Sequence, residues 1–181
     1  NWRVAGGATP TWAGGVGSVT KQASSGSPVT GGTYNWGSTA TERAVGSMTS
    51  GTFSSPRSVM AFYKNDGSTN ITDLSISYDL ERYRRNTAAA SVQYYYSLNG
   101  TSWTAVTGGD VDASSLPTGS SIYGFNPPET TLNIGPFSIT GLSVAPSGNF
   151  YLRWNLNTTG SNSQGIGVDN VSVTATFALP I

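Results

Sequence analysis

Cysteine and histidine are both absent from the chain. Without cysteine there is no disulfide framework, no thiolate metal site and no thiol nucleophile. Without histidine the commonest general base, metal ligand and pH switch are missing. Charge is scarce too: only 10% of the 181 residues are ionisable Asp, Glu, Lys or Arg. A typical soluble domain carries about 25%, so Ser, Thr, Asn and Gly must cover most of this surface. Nine basic residues balance nine acidic ones. That balance leaves no electrostatic footprint for DNA, RNA or anionic lipid. No apolar run approaches the roughly 18 residues of a membrane-spanning helix. The chain opens at Asn1 with no basic segment ahead of an apolar run. It reads either as a mature chain whose export signal is gone or as an excised domain.

What is present is a succession of short strand signals. Leu74, Ile76, Tyr78 and Leu80 alternate with Asp73, Ser75, Ser77 and Asp79, the pattern of a strand with one buried face. Ser58–Tyr63, ended by Asn65-Asp66-Gly67, reads as another strand, and Thr41–Gly46 as a strand or a short turn. Ala90–Ser97 and Ser102–Thr107 flank Asn99-Gly100, a strong hairpin signal. Phe137–Thr140, Leu142–Val144, Phe150–Leu156 and Gly165–Phe177 complete the set, whereas 108–136, with Pro117, Pro127, Pro128 and Pro136, reads as loop. No long amphipathic helix interrupts them. The expectation is an all-β fold, an antiparallel β-sandwich or jelly roll over residues 34–181. Its expected core includes Leu74, Ile76, Tyr78, Leu80, Val92, Trp103, Leu152, Trp154, Val171 and Val173. Residues 1–33 form an extended Gly/Ser/Thr-rich arm or a set of edge strands.

Four segments carry a family likeness: Trp36-Gly-Ser with Thr41–Gly46, Ile71–Arg84, Val92–Trp103, and Tyr151–Trp154 with Gly165–Val173. In order and spacing they resemble, over about residues 34–176, a jelly-roll-like domain of exported bacterial surface proteins of the PEP-CTERM-associated type. That family has a Gly-Glu-Gln-Trp-Arg-like element. Glu81, Tyr83 and Arg84 stand in its matching places, while Leu80 and Arg82 depart from it. No sorting tail follows Ile181. The resemblance implies a β-sandwich at an extracellular or cell-surface location, and it implies no reaction.

Function narrows by chemistry. Serine catalysis lacks its histidine and a Gly-x-Ser-x-Gly elbow, and Lys21 and Lys64 sit in no recognisable motif. Asp79 and Glu81 share a strand face, but Arg82, Arg84 and Arg85 beside them favour ion pairing over glycosidase chemistry. The expectation is a protein that is not an enzyme and has no cofactor. Asp110 and Asp112 are a candidate structural calcium point, with turn-forming residues the simpler reading. Glu81, Arg84 and Arg153 are expected to be structural ion pairs.

The leading expectation is an extracellular structural protein that self-associates into a homo-oligomer or polymer, as a fibre, sheath or matrix, by strand addition. The arm residues Trp2, Val4, Trp12, Val16 and Val19 would pair with a sheet edge of the same chain or of a neighbour. The alternative is a lectin-like module binding polysaccharide through exposed rings, with Tyr95, Trp103 and Tyr123 as candidates.

Overall fold

The computed structural model describes residues 1–180 and shows an all-β sandwich of twelve strands. Five strands make one sheet, in the order β1 (Trp2–Gly6), β5 (Arg57–Lys64), β11 (Asn149–Thr158), β7 (Ala90–Ser97) and β8 (Thr104–Ala105). The second sheet runs β10 (Thr130–Ile139), β6 (Ile71–Arg85), β12 (Gly165–Phe177), β4 (Ala44–Met48), β3 (Gly32–Trp36) and β2 (Lys21–Ala23). The short β9 (Ile122–Tyr123) pairs with the end of β6. From β4 to β7 each connection crosses from one sheet to the other, and β10 to β12 do the same. This is the wrap of a jelly-roll-like sandwich. All pairs but one are antiparallel; β2 and β3 run parallel.

Period-2 alternation builds the core. Leu74, Ile76, Tyr78 and Leu80 of β6 are buried together with Leu152, Trp154 and Leu156 of β11 and Val92 and Tyr94 of β7. Burying such side chains stabilises by about 1.5–3 kcal/mol each, so this layer between the sheets carries most of the fold. A second, smaller cluster of Ala23, Tyr34, Trp36, Ala44, Met48 and Tyr83 lies apart from it. In β4, Val45 packs on the main core while Ala44 and Met48 join the smaller cluster. The two clusters therefore lie on opposite faces of the second sheet.

Three core expectations need correcting. Val171 and Val173 are only half-buried, because β4 pairs with β12 no further than Val168 and leaves the rest of β12 with β6 alone. Trp103 is half-buried as well, because it sits outside the sandwich core on an arginine. The stretch 108–136 is not all loop. β10 starts at Thr130, and Pro136 is accommodated at a bulge between Ile134 and Phe137 on this edge strand, one of the few places a sheet tolerates proline. Leu142–Val144 contributes a single bridge, Val144 to Ile71.

The first residues belong to both sheets. β1 pairs with β5 of its own chain, Trp2 opposite Ala61 and Val4 opposite Val59. Residues 7–16 then loop over the outer face of the five-stranded sheet and return, so that Val16 exchanges two backbone hydrogen bonds of 2.9 Å with Val4. Across that face Trp12 stacks on Phe62 and leans on Tyr151, with centroids at 5.8 and 5.6 Å. Its N–H donates to Gly100 O at 2.7 Å. The boundary at 33/34 falls inside β3.

Candidate functional site

Tyr95 and Trp103 come together, but as a clamp. The Arg153 guanidinium lies 4.0 Å from the Tyr95 ring centre and 5.0 Å from that of Trp103. Arg153 also donates to Ala8 O at 3.0 Å, and Trp103 Nε1 donates to Pro10 O at 2.6 Å. The clamp pins the 7–16 loop to the sheet. Tyr123 is elsewhere: it stacks on Phe125, has Arg84 over its ring at 5.4 Å and donates its hydroxyl to Pro28 O. All three rings are half-buried and already hold protein partners.

The charge pairing differs from expectation. None of Glu81, Arg84 and Arg153 forms an ion pair among the described residues. Arg153 is 1% exposed and is met by aromatic faces and a carbonyl, and burial holds its pKa down with Tyr95 opposing. Arg84 donates to Met48 Sδ and faces Tyr123. The buried pair is instead Arg82 with Glu129, at 2.5 Å. Asp110 is engaged with the backbone of β7. Its carboxylate accepts the Tyr94 N–H at 2.7 Å, while Asp112 is exposed.

Where acids do meet is on the second sheet. Carboxylate oxygens of Glu42, Glu81 and Asp169 all lie within 4.8 Å of one another. Glu81 is 3% exposed and accepts a hydrogen bond from the Tyr83 hydroxyl. Burial pushes its pKa up to about 7; the Tyr83 bond opposes this, and the neighbouring Glu42 and Asp169 charges add to it. Asp169 is raised also, by burial and by the charges of Glu42 and Asp79, against a backbone hydrogen bond from Asn170. Sequence reading missed this trio because its members are far apart along the chain.

The open site is next to it. β1 is the last strand of its sheet, and its Trp2 meets β3, β4 and β12 across a groove of about 430 Å³. Val19, Val45, Val168 and Val171 form its apolar lining, and Asn35, Arg43, Asp169 and Asn170 its polar groups. Two local features shape it. Gly46 lets β4 approach β12 so closely that a Cβ there would overlap the Ile166 carbonyl oxygen. Beyond Val168, β12 then bulges between Asp169 and Ser172, with Asn170 in the left-handed region at φ 48°. A bulge of this kind re-aims side chains, and this one lines the groove with Asp169, Asn170 and Val171.

Trp2 is 41% exposed, and its ring lies on the fully buried Trp154 at 5.5 Å between centroids and 22° between planes. The register explains the contact. Val4 sits opposite Val59, which sits opposite Trp154, and Trp2 is two residues from Val4 on the same strand face. An aromatic ring is thus braced from beneath and open above. The trio's Asp169 supplies hydrogen-bond acceptors at the groove wall.

No family model matches the chain, and no curated protein does. Among solved structures, it is similar to TmCBM61 in complex with beta-1,4-galactotriose, at 10% identity and TM-score 0.42, over 75% of this chain and 72% of that one. It is also similar to Xylanase10C from Cellvibrio japonicus in complex with xylopentaose, at 12% identity and TM-score 0.40, over 98% of this chain and 27% of that one. The chain spans about a quarter of the xylanase's length.

Proposed function

We propose that this domain is a non-catalytic carbohydrate-binding module, acting at an extracellular or cell-surface location, with the Trp2 groove as its binding site. The observation that carries the reading is the exposed indole of Trp2, held against Trp154 beside Asn35, Asp169 and Asn170. A sugar ring presents an apolar C–H face and a rim of hydroxyls. A rigid aromatic surface takes the first, and amide and carboxylate groups take the second. The groove volume falls within the roughly 300–1,000 Å³ of small-molecule sites. Asn35 keeps its side-chain amide free of protein partners among the described residues.

Binding without turnover fits the acids. A glycosidase sets two carboxyl groups on either side of the scissile bond. Here Glu81 is buried under Tyr83, and of the three clustered acids Asp169 alone is among the groove-lining residues, with no second carboxyl group across from it. The sheet edges weigh against assembly by strand addition. β2 and β8 have three and two residues, β10 carries the Pro136 bulge, and Val16 bridges to the outer side of β1. Short, bulged or covered edges resist pairing with another chain. The five apolar arm residues also find partners within their own chain, Trp2 on Trp154, Trp12 on Phe62, Val4 and Val19 in or against the core, and Val16 on Val4. A glycan array on the purified domain, followed by calorimetry with Trp2→Ala, tests the proposal. Binding that depends on Trp2 supports it, and an array with no bound glycan refutes it.

A further inference from the structure

A separate hollow, of about 470 Å³, opens on the opposite face of β1. The Trp2 ring and Val4 turn toward the core, so Arg3 between them projects from the outer face of the five-stranded sheet. Phe62, next to the buried Ala61 on β5, projects from the same face. Trp12, carried across that face by the 7–16 loop, lines the hollow with them. We infer that this hollow is a second ligand site, which takes the carboxylate-bearing ring of an acidic glycan, a uronic acid unit. The choice of a sugar as that ring rests on the carbohydrate-binding reading above; the place of the site does not.

Arg3 supplies the charge. Its Nη1 donates to Trp12 O at 2.7 Å, and its guanidinium lies 4.6 Å from the Trp12 ring centre. Among the described residues no acid pairs with it, and its other N–H donors have no protein acceptor. None of those nitrogens is sealed from solvent. A guanidinium with free donors is suited to a carboxylate. Arg153, on the same sheet face, is the closed counterpart: it holds two rings and a carbonyl and is 1% exposed. Arg3 holds one ring and one carbonyl, is only half-buried, and no acid lines its hollow. The Trp2 groove differs in charge, because Asp169 is in its lining. Trp12 and Phe62 supply the apolar surface that the C–H face of a pyranose needs. Their arrangement is fixed before any ligand arrives. Trp12 stacks on Phe62 and donates its N–H to Gly100 O, and its loop is tied down by Arg153 at Ala8 O and by Trp103 at Pro10 O. Little ordering is then charged against binding.

Two variants probe the site. Arg3→Gln removes the charge and can still donate to Trp12 O. Gly17→Gln adds bulk to the lining at little steric cost, since a Cβ there would meet only Trp2 O, at 3.8 Å. The experiment titrates the intact domain and each variant with oligogalacturonates, with neutral galacto-oligosaccharides of the same lengths and with benzoate, and maps the bound state by amide and indole chemical shifts. The expected result is saturable galacturonate binding that weakens at high salt, falls about tenfold or more in both variants, perturbs Arg3, Trp12 and Phe62, and persists when the Trp2 groove is saturated with a neutral glycan. Absence of galacturonate binding, or binding indifferent to both variants, overturns the inference. So do shifts centred on the Trp2 groove or displacement by the neutral glycan. Benzoate binding tighter than galacturonate overturns the choice of a sugar. The two readings fail separately: galacturonate held at Arg3 with no neutral glycan bound refutes the Trp2 groove alone, and neutral glycan held at Trp2 with no galacturonate bound refutes the Arg3 site alone.

Discussion

The Arg82 guanidinium meets the Glu129 carboxylate at 2.5 Å, with Arg82 all but fully buried, and it also donates to Pro117 O and Gln164 Oε1 at 2.9 Å. One side chain on β6 therefore ties together the 117–130 region and the entry to β12. Arg85 adds a longer contact of 3.8 Å to the same carboxylate.

Removing one partner should strand the other. Arg82→Met leaves Glu129 without its main counter-charge and three acceptors without their donor, and should cost about 3–5 kcal/mol. Burial by itself raises the Glu129 pKa, but the hydrogen bonds from Arg82 and Thr130 and the Arg82 and Arg85 charges outweigh it, and the net shift is downward. A carboxyl depressed in the folded state adds stability above its unfolded pKa, and that stability is lost as pH falls through the folded value. Chemical denaturation at pH 7 and pH 3 should therefore show a smaller gap between wild type and Arg82→Met at the lower pH. Equal gaps contradict the pairing.

Glu81 works in the opposite direction. Its pKa is raised from 4.5 to about 7, so its contribution is present below the unfolded pKa and is lost as pH rises through the folded one. Glu81→Gln should raise the melting temperature at pH 8 and change it little at pH 4, because Gln still accepts the Tyr83 hydroxyl without adding charge beside Glu42 and Asp169. A lower melting temperature at pH 8 would mean that Glu81 has a cationic partner after all.

Gly46 should be intolerant of any side chain. The atom a Cβ would strike is the Ile166 backbone oxygen, which cannot rotate aside, and the β4–β12 ladder would have to open. Gly46→Ala should cost at least the roughly 1–3 kcal/mol of overpacking. It should also speed amide exchange at 165–168. Wild-type exchange in that segment contradicts the tight approach.

The parts of the fold that could be read along the chain are those written in local periodicity. Leu74 to Leu80 and the Val92, Leu152 and Trp154 core appear where alternation places them, and Asn99-Gly100 does turn the chain back, though onto a β8 of only Thr104–Ala105 rather than a strand over 102–107. β10 was hidden because Pro136 normally argues against a strand, and only its edge position and bulge reconcile the two. The site was harder. Trp2 stands out as an apolar residue in a polar arm, yet its exposure depends on β1 ending one sheet where β3, β4 and β12 of the other come into view. Tyr95 and Trp103 looked equally suitable for stacking, and nothing local reveals that Arg153 occupies the space between them. Arg82 rather than Arg84 pairs with an acid because the partner, Glu129, lies 47 residues away.

The central claim is that Trp2 is the binding surface, and isothermal titration of wild type and Trp2→Ala with a glycan identified on the array tests it most directly. Truncating an aromatic hot spot typically costs 2 kcal/mol or more, about a thirtyfold loss of affinity. The account predicts at least that loss, with the thermal transition still cooperative because Trp154 remains enclosed by Tyr78 and Tyr94. Unchanged affinity in a folded Trp2→Ala variant would contradict it.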